Sequence, residues 1–253
     1  MDATLLYSFL CVFVRCSAMF ISSPVFSAQN TPIMVRIFTT LAIAGALTAA
    51  LGTNIGPPPA NMYLFVMAIA HEVLAGLLIG TFMSFVLQAA QMAGTLVDTQ
   101  MGLSMSQVLN PINGVSSTVI SQFKFMLAVV IFLSVNGHHL MLKAFADSYG
   151  SMPGMTMEHL PQMKNNLVGL MGTLSVLSLQ MAAPVLGVSL VVDAALGIVN
   201  KAVPQMQVVV IGLPAKIVIG LIALSVGLPA LVSGVNSGVG VALEGLLRTL
   251  KGM

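Results

Sequence analysis

Along the 253 residues of the chain, apolar side chains neither alternate nor keep to one helical stripe; they run on in long blocks. A helix that crosses a bilayer needs about 20 mainly apolar residues, and blocks of this kind fall at 3–22, 33–51, 62–90, 119–135, 167–192 and 207–233. They predict an all-α chain of about six apolar segments, apolar on every side. The stretches between them carry Gly, Pro, Ser and Asn in helix-ending combinations. These are SSPVFSAQNTP at 22–32, GTNIGPPPAN at 52–61, GLSMSQVLNPING at 102–114, the region around SYGSMPGMTMEHLPQMKNN, and NKAVPQ at 200–205. The closing VALEGLLRTLKGM is short and amphipathic, with Glu244, Arg248 and Lys251 on or near one face, which suits an interface. The first block follows Asp2 without a basic stretch and contains Arg15, so it is expected to be retained rather than cleaved.

The blocks are not clean. His71 and Glu72 sit in the third and Lys124 in the fourth; Pro184 is expected to break the fifth, and Pro214 and Lys216 lie early in the sixth. A charge at a helix centre costs roughly 3 kcal/mol on insertion scales, while one Leu or Phe returns about 0.5. The third block can absorb that cost, with its charge facing protein or water rather than lipid. The segment LGIVNKAVPQMQVVVIGLPAK, 196–216, raises the same demand more sharply, with Asn200, Lys201, Pro204, Gln205 and Pro214 in apolar surroundings. Irregular backbone at membrane depth must be covered by protein or line a wet cavity.

Composition closes off a soluble fold. Hydrophobic residues make up 57% and charged residues 6%, against about 25% charged in soluble domains. The net charge of +2 is dispersed, so no basic patch exists for a nucleic-acid partner. With six spans, four Lys or Arg fall on each side, which sets no orientation. Small residues at four-residue spacing (Gly76 and Gly80, Gly234 and Gly238, Ala42 and Ala46) predict close helix contacts. The 19 methionines suit deformable packing. Cys11 and Cys16, five apart on a helix, are about 8 Å apart on different faces and are expected to pack as small apolar residues, not to bond.

No convergent chemistry emerges. His71-Glu72 begins like H-E-x-x-H, but position 75 is Ala75. His138 and His139 are adjacent and point to different sides of a helix starting after the Asn136-Gly137 turn, so a metal site is not expected. Asp98, Asp147 and Asp193 are scattered without acid–base spacing. No Walker loop, G-x-S-x-G or G-x-G-x-x-G is present. Neither an enzyme nor a cofactor is expected. An autonomous small-solute or ion transporter remains an alternative, since Glu72, Asp98, Lys124, Asp193 and Lys201 could form a path.

Two segments carry a family pattern: GTLVDTQMGLSMSQVLNP at 94–111 and ALGIVNKAVPQMQVVVIGLPAK at 195–216. With SSPVFS…P…VR at 22–36 and FLSVNGHHL at 132–140 in the same order, the chain resembles the FliR/SctT family of export-gate subunits of type III secretion systems. The likeness runs from residue 3 to about 240, and Asn136-Gly137-His138 leans toward the flagellar branch. The basic residue of the Asn–basic–x–x–Pro-Gln core, usually Arg, is Lys201, and the residue before the first motif's proline, often Asp, is Asn110. The resemblance implies one export-gate domain over 1–253, in the bacterial inner membrane at the flagellar basal body. It implies a hetero-oligomer with FliP-like and FliQ-like subunits and an FlhB-like switch subunit, through which unfolded proteins are exported. It further implies a loop that plugs the closed gate, here Gln100, Met101, Gly102, Leu103, Met105, Val108, Leu109, Asn110, Pro111 and Gly114. A helix break at a subunit boundary would then be built from Asn200, Lys201, Pro204, Gln205 and Pro214.

Overall fold

The computed structural model describes residues 3–26, 32–51, 57–104, 118–151, 160–202 and 208–251. Among them are seven helices: α1 (Ala3–Ser22), α2 (Ile33–Leu51), α3 (Met62–Met101), α4 (Val119–Ser134), α5 (Gly137–Ser151), α6 (Leu160–Ala202) and α7 (Val208–Lys251). Five are long and apolar enough to cross a bilayer, and the α4–α5 pair, bent by 65°, makes a sixth candidate. The protein is a polytopic all-α membrane protein.

The ends of the helices follow local chemistry. α1 stops one residue before Ser23-Pro24, as the restriction on residues preceding proline requires. Pro32 opens α2, its carbonyl accepting from the Arg36 N–H at 3.3 Å. Asn61 caps α3, its Oδ1 accepting from the Tyr63 N–H at 3.1 Å. The α4–α5 bend falls where Asn136 takes a left-handed φ of 58°, a conformation asparagine tolerates better than most.

Three helices are longer than the apolar blocks announced. α3 has 40 residues, α6 has 43 and α7 has 44, each about 60 Å or more at 1.5 Å per residue. Pro184 lies inside α6, and Pro214 and Pro229 lie inside α7, so Pro184 does not break the fifth block and Pro214 is no helix break. A proline removes one N–H and crowds one carbonyl; in a long apolar helix the remaining ladder continues around it. The amphipathic closing stretch is likewise the end of α7 rather than a separate helix. The expected connector at 148–166 is shortened by the end of α5 and the start of α6.

The chain forms two compact units: 1–85 with 136–171 and 239–253, and 86–135 with 172–238. In the first, α1 and α3 run parallel through Gly76 and Gly80. A Cβ on Gly76 would collide with the Arg15 carbonyl, and one on Gly80 with the Met19 carbonyl and the Ser22 hydroxyl. Around this seam Met19, Phe20, Ile79, Phe82, Met141 and Phe145 are fully buried. Cys11 and Cys16 are free thiols buried in α1. In the second unit Gly234 packs on Met181, and Gly227 packs on Pro184 with a Cβ-to-Cβ separation of 3.2 Å once a Cβ is placed there. The third small-residue pair behaves otherwise: Ala42 and Ala46 are exposed, and Gly45 between them has no neighbour within 4 Å.

Candidate functional site

The polar residues inside the apolar helices fall into separate fixed groups. In the first unit, Glu72 of α3 faces Arg15 of α1, whose Nε donates to Glu72 Oε2 at 2.6 Å. The side chains are 9% and 2% exposed. Helix α5 completes the group: Arg15 Nη1 donates to Ser148 Oγ at 2.7 Å, and the Tyr149 hydroxyl donates to the same Glu72 oxygen at 3.2 Å. The guanidinium carbon also lies 3.8 Å from the centre of the Tyr149 ring. A buried pair holds only when its remaining donors and lone pairs are satisfied, and the Ser–Tyr pair on α5 does this. His71, next to Glu72, keeps a buried Nε2 without a hydrogen-bond partner among the described residues.

The second unit holds the other predicted positions. Lys124 is 2% exposed and its Nζ donates to the Met181 carbonyl of α6 at 3.1 Å. That carbonyl is next to the Gln180 carbonyl, whose helical N–H partner Pro184 removes. Asp98, fully buried on α3, accepts from the Thr118 hydroxyl and from the N–H groups of Ile120 at 3.2 Å and Ser121 at 2.8 Å. Near the end of α3, Gln100 Nε2 donates to Asp193 Oδ2 at 3.1 Å, and Lys216 of α7 meets Asp193 Oδ1 at 2.7 Å. This last group is partly exposed, the Asp193 side chain at 43%.

Several positions of the expected plug loop belong to the helix instead. Gln100 and Met101 form the last turn of α3. Met101 is fully buried against Gly220, where a Cβ would come within 2.8 Å of its Cγ. Gly102, at φ +78°, ends the helix. Its N–H reaches the Thr99 carbonyl and the Leu103 N–H reaches the Asp98 carbonyl, the paired closure of a helix end that only glycine adopts freely. Met105, Val108, Leu109, Asn110, Pro111 and Gly114 lie outside the described residues. At the other expected site, Asn200 and Lys201 are exposed at the end of α6, Pro204 and Gln205 lie outside the described residues, and Pro214 is exposed within α7.

Sequence reasoning finds the charged members of these groups but not their pairing. Arg15 and Glu72 are 57 positions apart. The usable signal is one opposite charge in each of two apolar blocks, since an intramembrane charge calls for a partner. Asp98 reads as one of three scattered acids; Gly94, one turn earlier on the same face, is the clue that another backbone approaches there.

These features define a polytopic helical membrane protein whose charges serve packing. The family described as bacterial export proteins, family 1, matches residues 6–240, and the chain belongs to it. The chain is 34% identical over 226 residues to the flagellar biosynthetic protein FliR of Bacillus subtilis (strain 168), covering 87% of this chain and 85% of that one. FliR of Caulobacter vibrioides is 30% identical over 217 residues, 86% of each chain. FliR of Escherichia coli (strain K12) is 26% identical over 219 residues, 85% of this chain and 82% of that one. The FliR/SctT resemblance seen in the motifs at 94–111 and 195–216 is thereby shown.

Proposed function

We propose that this chain is a structural and gating subunit of the flagellar type III export gate in the bacterial inner membrane. There it works with FliP-like and FliQ-like subunits, and with an FlhB-like switch subunit, to form the closed channel through which unfolded flagellar proteins leave the cytoplasm. The segment from Leu103 to Gly114 contributes the plug, and 200–205 lies at a subunit boundary.

One observation carries the reading. On α6, large apolar side chains are exposed from Val168 through Met171, Val176, Leu179, Leu190 and Val191 to Ile198 and Val199. That is about 46 Å of helix, against a hydrocarbon core of about 30 Å. Cover of part of this surface by protein is what a subunit of a larger helical assembly would have, and the exposed run supports that reading. The kinship with FliR proteins supports the flagellar export apparatus as that assembly.

The alternative of an autonomous transporter draws less support. Glu72 is held by Arg15, Asp98 by the start of α4, and Asp193 by Gln100 and Lys216, so each acid serves a local joint. The test is co-expression with FliP-like and FliQ-like partners, purification through a tag on this chain, and native mass spectrometry. A defined complex holding this subunit with both partners is expected. A chain that purifies stably alone, or as a homo-oligomer with no partner bound, would refute the assignment.

A further inference from the structure

Asp193 is the odd member of the exposed face of α6. Leu190 and Val191 precede it and Ile198 and Val199 follow it, all exposed. On α7 its partner Lys216 stands between the exposed Leu213 and Ile219, about one turn to either side. The ion pair joining the two helices is therefore set within an apolar surface and not at a polar edge. It is also lopsided, with the Asp193 side chain 43% exposed and that of Lys216 17%. Lys216 Nζ lies 2.7 Å from Oδ1 and donates to Oδ2 at 2.8 Å, and Gln100 Nε2 donates to Oδ2 at 3.1 Å. An ionised carboxylate accepts at about four sites, so among the described residues Oδ1 keeps room for a further donor.

Neither lipid nor water suits this surface. Ile198 lies about 8 Å beyond Asp193 along the helix. If the hydrocarbon ends at Asp193, Ile198 and Val199 stand in water with their side chains bare. If it reaches Ile198, an exposed carboxylate faces lipid, which charges within membranes avoid. A protein surface that is apolar around one hydrogen-bond donor meets both demands.

We propose that the α6–α7 face around Asp193 docks a helix of a different subunit, apolar except for a side chain that donates to the Asp193 carboxylate. Charge selects this occupant. The anion is the more exposed member of the pair, so its complement is a donor and not a second acid. A second copy of this chain, paired through the same face about a two-fold axis, would set one carboxylate against another. The inference rests on the export-gate assembly proposed above and adds what the neighbouring helix must carry.

The test compares the chain alone in detergent with the complex it forms with its partner subunits. Accessible carboxyls are coupled to glycine ethyl ester with a carbodiimide and located by mass spectrometry. Asp193 should label in the isolated chain and lose most of that labelling on assembly. Two double variants ask whether the carboxylate itself is recognised. The exchange Asp193→Lys with Lys216→Asp keeps an ion pair between α6 and α7, and Gln100, both donor and acceptor, can serve either end. Asp193→Leu with Lys216→Met makes the face uniformly apolar, a replacement that ion pairs often tolerate. Both should leave the thermal stability of the isolated chain little changed and lower the recovered complex about tenfold. A carboxylate that only joins α6 to α7 predicts full recovery from the exchange. Equal labelling of Asp193 in both states would overturn the inference, and so would protection already present in the isolated chain, which would mean that the chain covers its own carboxylate. Protection on assembly with full recovery of both variants would overturn the donor, and protection in a homo-oligomer would overturn the choice of occupant. Where the double variants fail to fold, the labelling difference decides. A wild-type chain that assembles with no partner would refute the export-gate reading itself, whereas an intact complex with Asp193 still labelled refutes this inference alone.

Discussion

Arg15 and Glu72 illustrate how single residues are placed in this chain. Neither charge suits a bilayer, but together with Ser148 and Tyr149 they close a group in which the carboxylate and guanidinium are held by named partners. Removing one member of a buried pair costs about 3–5 kcal/mol, whereas replacing both by apolar residues of similar size is often neutral. Glu72→Ala should therefore lower the thermal stability of the purified complex far more than the double change Arg15→Met with Glu72→Met. Equal losses in a thermal-shift assay would mean that the pair is not an energetic unit. The glycines give a second contrast. Gly76 has the Arg15 carbonyl where a Cβ would go, while Gly172 has nothing within 4 Å. Gly76→Ala should be destabilising and Gly172→Ala neutral or stabilising by about 0.5–1 kcal/mol, the cost of helical glycine. A similar response at both sites would contradict the α1–α3 seam. The Gly76–Gly80 spacing was readable in the sequence. The same spacing at Ala42 and Ala46 was read as a contact as well, yet both residues are exposed, because spacing alone does not say which face of a helix has a neighbour.

Among the elements, the helices that begin or end at a proline or a cap were legible nearly to the residue. α1 and α2 fall where the apolar blocks at 3–22 and 33–51 placed them. α3, α6 and α7 overran because the expectation was set by bilayer thickness, and these helices are not limited by it. Their far ends carry residues that look like loop when judged by hydropathy: Asp98 and Gln100 on α3, Asn200 and Lys201 on α6, Glu244 and Arg248 on α7. At the ends of α3 and α7 packing continues, as Met101 under Gly220 and Leu246 in the first unit illustrate, whereas the end of α6 is helical although exposed. α5 was visible only as a helix start after Asn136-Gly137, since its polar content matches no span. The pairing of Asp98 with α4 was not legible at all, for it depends on a contact across 20 residues or more. At this scale the short connection between α6 and α7 gives a further expectation. Replacing Pro204-Gln205 by Ala-Leu removes a proline and raises the helix propensity of the sequence between α6 and α7, and should reduce incorporation into the complex more than total expression. Quantitative blots of membranes against purified complex would measure this; equal incorporation would remove the segment from assembly.

For the whole molecule, the decisive property is how much apolar surface the chain leaves uncovered. Exposed large apolar residues run along α2 from Ile33 to Leu41, along the start of α3 from Met62 to Leu74, along α6 from Val168 to Val199 and along α7 from Leu213 to Val232. The α6 stretch alone is about 46 Å of helix, longer than the roughly 30 Å of hydrocarbon. Contiguous apolar surface that lipid cannot fully cover marks a protein interface. The most direct test places single cysteines at Val168, Val191 and Ile198 in a chain with Cys11 and Cys16 changed to Ala, and labels them with a maleimide before and after assembly with the partner subunits. The account predicts labelling in the isolated, detergent-solubilised chain and loss of labelling at one or both ends of α6 in the assembled complex. Equal labelling in both states at all three positions would show that no partner covers α6, and would contradict the reading of this chain as an export-gate subunit.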